Sequence, residues 1–174
     1  MPRKLRMGMV GGGPDAFIGD VHRKAARLDG KIELVSGMFS RTPEKSQATG
    51  EDQFLDPARV HCDVEAYVAH ERSLPMDLRI DFICICTPNS SHFPIAKAFI
   101  EAGIHVMCDK PLTTDLKTAK AFAKIVKESG CLFGLTHNYT GYPMVKLGKD
   151  LIARGDLGKL RKIVVQYPQG WLQL

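Results

Sequence analysis

Phe82-Ile83-Cys84-Ile85-Cys86 contains no charged or amide side chain, and it constrains the fold more than any other stretch of the sequence. Alternate residues of a strand face opposite sides of a sheet, so a run that is apolar at every position demands cover on both faces. Elsewhere, β-branched and apolar runs alternate with segments of helical periodicity, the pattern of βαβ units and a parallel sheet. Strands are predicted at Leu5 to Val10, Ile32 to Phe39, Phe82 to Cys86, His105 to Cys108, Cys131 to Thr136 and Leu160 to Tyr167. The fold class is therefore α/β, a doubly wound and mostly parallel sheet.

Helix signals fill the intervals. Thr42-Pro43-Glu44 offers an N-cap, a first-turn proline and an acid near the positive end of the helix dipole, with Gly50 as the expected stop. Asp63 is expected to cap a helix running towards Pro75. Pro94 to Ala102 should end at Gly103, Thr114 to Ser129 at Gly130, and Pro143 to Arg154 at Gly155. The 174 residues suffice for one self-sufficient core and not for two. The reading is a dinucleotide-type domain over residues 1–140. Residues 141–174 then form a connecting helix and the first strand, Leu160 to Tyr167, of a second α/β domain cut short, followed by Pro168-Gln169-Gly170-Trp171. An unpaired apolar strand of that kind invites pairing with another copy, so a homo-oligomer is expected.

Composition excludes several classes. No apolar run reaches the ~20 residues of a membrane span, and the N-terminal residues lead directly into a glycine loop, so the expectation is a cytoplasmic protein without a signal peptide or membrane partner. The net charge of +5 is spread along the chain without a basic stripe and interleaved aromatics, so no nucleic-acid partner is expected. Cys62, Cys84, Cys86, Cys108 and Cys131 form no C-x-x-C pair, so no metal site is expected and the thiols read as small core residues in a reducing compartment.

The chemistry gathers where strands end. Met9-Val10-Gly11-Gly12-Gly13-Pro14-Asp15 carries the first strand into a glycine turn, and Ala16-Phe17-Ile18-Gly19 carries the turn into a helix. Glycines there permit positive φ and let N–H groups approach a pyrophosphate, which the helix N-terminus favours; the same residues also suit a plain tight βα turn. The spacing departs from strict G-x-G-x-x-G, with Gly19 the best match for the glycine that closes helix against strand. Asp15 is an awkward anion beside a phosphate. Gly11, Gly13, Phe17 and Ile18 are the expected contacts. The second strand ends in Ser40-Arg41, where an acid would select a ribose hydroxyl; serine and arginine suit a 2′-phosphate, so NADP is favoured over NAD, although Arg41 also reads as a surface residue. Thr87-Pro88-Asn89 with His92 closes the third strand, reading either as contacts to ribose or nicotinamide or as an N-cap and turn. Asn138 after the fifth strand is a further candidate. Asp109-Lys110-Pro111 stops the fourth strand on a cation pinned between a strand end and a proline.

Together the glycine loop, Thr87-Pro88-Asn89 with His92, Asp109-Lys110-Pro111 and Gly155-Asp156-Leu157-Gly158-Lys159 resemble the N-terminal half of a Gfo/Idh/MocA-type oxidoreductase, over nearly the whole chain. Members usually carry Glu-Lys-Pro, and Asp109 stands here for the glutamate. The resemblance implies a Rossmann-type domain that binds NAD or NADP, and a dehydrogenase acting on the CH–OH group of a sugar, inositol or other polyol. It implies Lys110 as the catalytic residue, hydrogen-bonded to the reacting hydroxyl and the nicotinamide ribose, with Asp109 beside it at the cofactor. The family's general base lies in a second domain that this chain does not contain, so the chain alone is expected to be inactive. The alternative is a non-catalytic NAD(P)-binding or sensing module.

Overall fold

The structure is a computed structural model that describes residues 3–14 and 16–170; Asp15 and Trp171 lie outside the described residues. Five strands form one sheet: β1 (Leu5–Gly11), β2 (Ile32–Met38), β3 (Phe82–Cys86), β4 (His105–Asp109) and β5 (Phe133–Thr136). All pair in parallel, in the order β2-β1-β3-β4-β5. The chain leaves β1 for β2 on one side and returns through β3 on the other, so the order reverses between β1 and β3. In open α/β sheets such a reversal parts the connections on the two faces and opens a crevice at the carboxyl ends of the strands.

Helices α1 (Phe17–Arg27), α2 (Pro43–Asp52), α3 (Val64–Ser73), α4 (His92–Glu101) and α5 (Leu116–Ser129) connect the strands. The expectation of a doubly covered sheet is met by two core clusters. On one face Val10, Ile83, Ile85 and Val106 meet Tyr67 of α3, Ile95 and Phe99 of α4 and Phe122 of α5. On the other, Met7, Met9, Cys84 and Cys86 meet Ala26 of α1 with Phe39 and Val60. The alternation along Phe82 to Cys86 thus divides isoleucines to one face and cysteines to the other.

Several helix ends differ from expectation for local reasons. Helix α2 continues past Gly50 to Asp52; a Cβ on Gly50 would sit 2.5 Å from Val60 Cγ2, so the glycine admits a close approach in place of stopping the helix. Helix α5 starts at Leu116, because Asp115 rather than Thr114 accepts from Thr118 N at 2.8 Å, and it ends as expected at Gly130 with φ +71°. Helix α4 begins at His92, after a 3-10 turn at Asn89–Ser91. Asp63 caps α3 as expected, accepting from Ala66 N at 2.8 Å.

Contacts divide the chain into residues 1–136 and 137–174. The second unit holds the 3-10 turn Asn138–Gly141 and α6 (Pro143–Ala153). The strand expected over Leu160 to Tyr167 is not formed: residues 160–169 have neither helix nor ladder. A strand is stable only beside a neighbour, and no described segment pairs with this one.

Candidate functional site

A cleft of about 630 Å³ opens at the carboxyl edge of the sheet, at the β1/β3 reversal. Gly11, Gly12 and Gly13, then Ser40 and Arg41 beyond β2, and Thr87, Ser90 and Ser91 beyond β3 line it. The glycine turn is shaped by contacts that admit no side chain. Gly11 and Gly12 have φ of +91° and +76°, and a Cβ on Gly11 would lie 2.7 Å from Cys86 O. A Cβ on Gly19 would lie 2.3 Å from Gly12 Cα, so Gly19 is what lets α1 approach the turn. The N-terminus of α1 has no side-chain cap, and its orphan N–H groups are available to an anion.

The wall beyond β2 is pinned by Ser46, whose Oγ accepts from Phe39 N at 3.0 Å and donates to His61 O at 2.6 Å. Ser40 Oγ accepts from Thr42 N at 3.0 Å, folding the chain back towards α2. Arg41 and Lys45 both line the cleft here, and no acidic side chain does so among the described residues. Lys45 was not singled out by the sequence reading; its spacing of four residues from Arg41 at a helix start is the signal that would have found it.

Beyond β3, Ser91 Oγ donates to Pro88 O at 2.6 Å and lies 2.8 Å from Thr87 Oγ1. Cys86 lies beneath; burial pushes its thiol up to about 12, and Cys108 behaves alike, so these sulfurs stay protonated and act as core residues. His92 departs from the sequence expectation. It is 1% exposed, with Nδ1 2.7 Å from Pro111 O and Nε2 2.8 Å from Thr87 O, so neither ring nitrogen is left for a ligand. Its ring instead joins the loop after β3 to the loop after β4.

One strand over, Ile85 stands opposite Cys108, which brings Asp109 and Lys110 to the same edge as Cys86 and Thr87. Lys110 is exposed, and its ammonium has no ion-pair or hydrogen-bond partner among the described residues. Burial lowers the pKa of His22 on α1, and the charge of Asp109 opposes that shift, so the two groups interact electrostatically. Of the residues expected at a cofactor, Gly11, Gly13, Ser40, Arg41 and Thr87 line the cleft; Asn89, Asp109 and Lys110 border the same edge without lining it. Phe17 is 82% exposed and Ile18 packs into the core below α1, so neither lines it either. Asn138 falls in the second unit.

The residues present fit an anionic dinucleotide: a glycine cradle with free N–H groups, two cations at the far wall, and a partly apolar floor. The five-stranded parallel sheet with a glycine loop at its reversal defines a Rossmann-type domain. Residues 5–137 match the Gfo/Idh/MocA family, described as an oxidoreductase family with an NAD-binding Rossmann fold. The chain belongs to that family. It is similar to an oxidoreductase from Sinorhizobium meliloti (50% identity, TM-score 0.86, covering 92% of this chain and 44% of that one). It is also similar to an inositol dehydrogenase homolog from Azotobacter vinelandii solved with NAD+ (34%, TM-score 0.88, 92% and 41%). Levoglucosan dehydrogenase of Pseudarthrobacter phenanthrenivorans is 30% identical over 97% of this chain and 42% of its own length. The chain thus spans less than half of the proteins it resembles. Among the described residues no helix is long and apolar enough to cross a membrane.

Proposed function

We propose that this chain is the cofactor-binding half of an NAD(P)-dependent dehydrogenase acting on a hydroxyl of a sugar, inositol or related polyol, and that it turns over little without the rest of the protein. The observation that carries the reading is the cleft that joins the glycine turn, Arg41 and Thr87 at the reversal of the sheet, with Lys110 at the neighbouring strand end. Relatives named for levoglucosan and inositol support the substrate class.

Gly11 and Gly13 with the start of α1 would hold the pyrophosphate, and Thr87, Asn89 and Asp109 would border ribose and nicotinamide. The bound dinucleotide supplies the acceptor or donor of hydride. Lys110 would donate a hydrogen bond to the reacting oxygen and stabilise the negative charge that grows there, a role that an unpaired ammonium is free to take. The proton acceptor would come from outside this chain. Ser40, Arg41 and Lys45 favour NADP over NAD, since no acid stands ready for ribose hydroxyls. A homo-oligomer in the reducing cytoplasm, where the five free cysteines persist, completes the reading.

Fluorescence titration with NADH and NADPH tests it, with NADPH expected to bind more tightly; no binding of either would sink the proposal. In the whole protein, Lys110→Ala is expected to lower turnover of a polyol by roughly 10²-fold or more while cofactor binding persists. Loss of cofactor binding with no turnover in the unaltered protein would favour a sensing module.

A further inference from the structure

A charged side chain taken out of water is ordinarily paired with an opposite charge. Arg23, on the face of α1 that meets the sheet, is 8% exposed, and no carboxylate is paired with it among the described residues. Asp20, one turn earlier, is ion-paired with Lys24 at 2.7 Å. The Arg23 guanidinium instead sits directly behind the glycine turn. Its Nη1 donates to Gly12 O at 2.7 Å and lies 3.6 Å from Met9 Sδ. A Cβ on Gly12 would come within 3.1 Å of the same nitrogen.

This contact has a consequence for the next peptide group. In a planar trans peptide the C=O and the N–H point in opposite directions. Drawing the Gly12 carbonyl inward therefore turns the Gly13 N–H outward, on the side of the cleft that Gly12 and Gly13 line. That N–H has no hydrogen-bond partner among the described residues. An apolar side chain would pack this part of α1 without the cost of burying an unpaired cation, so the guanidinium is explained better by a charge that arrives with a ligand.

We propose that Arg23 is a positioning residue for the pyrophosphate of the dinucleotide, aiming the Gly13 N–H at it and placing a positive charge behind the turn. This rests on the dinucleotide reading above. Arginine suits the task because its donors are held in a rigid plane, whereas a lysine would keep the charge but not the fixed direction. The role is carried by an interior side chain that never touches the ligand, so it escapes any inspection of cleft-lining residues.

The test compares Arg23→Met and Arg23→Lys with the unaltered protein in titrations with NADH, ADP-ribose and adenosine. For Arg23→Met, NADH and ADP-ribose should bind about tenfold or more weakly, the effect of losing a charge-assisted bond; adenosine, which has no phosphate, should bind as before, and Arg23→Lys should recover part of the loss. Unchanged NADH affinity in a folded Arg23→Met protein, or equal losses for all three ligands, would overturn the proposal. Should Arg23→Met not fold, 15N-labelled unaltered protein titrated with inorganic pyrophosphate decides: the Gly13 amide signal should move, and a stationary one overturns the proposal. Failure of the unaltered protein to bind NADH or NADPH while the Gly13 signal still answers pyrophosphate would instead overturn the dinucleotide reading and leave an anion site.

Discussion

At Gly19 a single methyl group is enough to test how α1 meets the nucleotide turn. An added Cβ would meet backbone, 2.3 Å from Gly12 Cα, and backbone cannot rotate away as the end of a side chain can. Gly19→Ala should therefore destabilise the domain by about 1–3 kcal/mol in chemical denaturation and weaken cofactor binding beyond that, because relief of the clash must displace Gly12. His92→Leu probes the neighbouring strand ends. It removes the imidazole that stands between Thr87 O and Pro111 O and strands the carbonyl that accepts its ring N–H, at a cost of about 1–3 kcal/mol where that oxygen stays dry. Hydrogen exchange should rise in both loops, and unchanged exchange after Pro111 would show that the bridge does not restrain the Lys110 turn. Much at this scale was legible from the sequence: glycines after a strand and a lysine before a proline announce themselves through local geometry. His92 was not, because its position marks a strand end while its partners come from two loops that only the folded chain brings together. Arg23 was hidden similarly, although its spacing of four residues from Gly19 places both on the helix face that meets the turn.

Among the helices, starts were more legible than ends. Asp63 and Asp115 act on N–H groups three residues away, so the signal lies within the sequence itself. The end of α2 is set by tertiary contact: Gly50 is consumed by Val60, and the left-handed position that closes the helix falls on Phe54, at φ +58°. Leu55 N donates to Gly50 O at 3.0 Å to complete that cap. Phe54 is 95% exposed and so loses little packing on replacement. Phe54→Gly should raise stability by about 0.5–1 kcal/mol, the relief of left-handed strain less the extra freedom glycine gives the unfolded chain; a lower thermal midpoint would contradict this. The junction after β2 carries a pH dependence. Burial, reinforced by the charges of His70 and Arg59, lowers His61 from 6.5 to about 4, while its ring stacks on Tyr67. The unfolded chain therefore binds the proton first. The contribution of His61 is complete above pH 6.5 and is lost as the pH falls towards 4. His61→Phe, which keeps an aromatic ring against Tyr67, should flatten the fall in thermal midpoint across that window.

For the molecule as a whole, the parallel sheet was readable because apolar runs are separated from one another by helical segments, and little else accommodates that pattern. The strand order places the site, and it depends on pairings between distant segments such as β1 with β3, which no local signal reports. Residues 160–167 show the complementary failure. Lys162-Ile163-Val164-Val165-Gln166-Tyr167 has the composition of a strand, yet composition supplies no neighbour, and the segment has no ladder. Its side chains remain in water, with Val165 82% exposed and Ile163 and Val164 similarly open. A β-prone apolar segment left exposed lowers its free energy by pairing with another chain. Residues 1–174 produced alone should therefore bind the cofactor but associate as concentration rises. Sedimentation or light scattering should show the double variant Ile163→Lys, Val165→Lys to be monomeric under the same conditions, with cofactor affinity unchanged because the cleft is built entirely from residues 10–95. A monomer at all concentrations without the substitutions would mean that these residues find cover within their own chain. Equal association with and without the substitutions would place the contact on another surface.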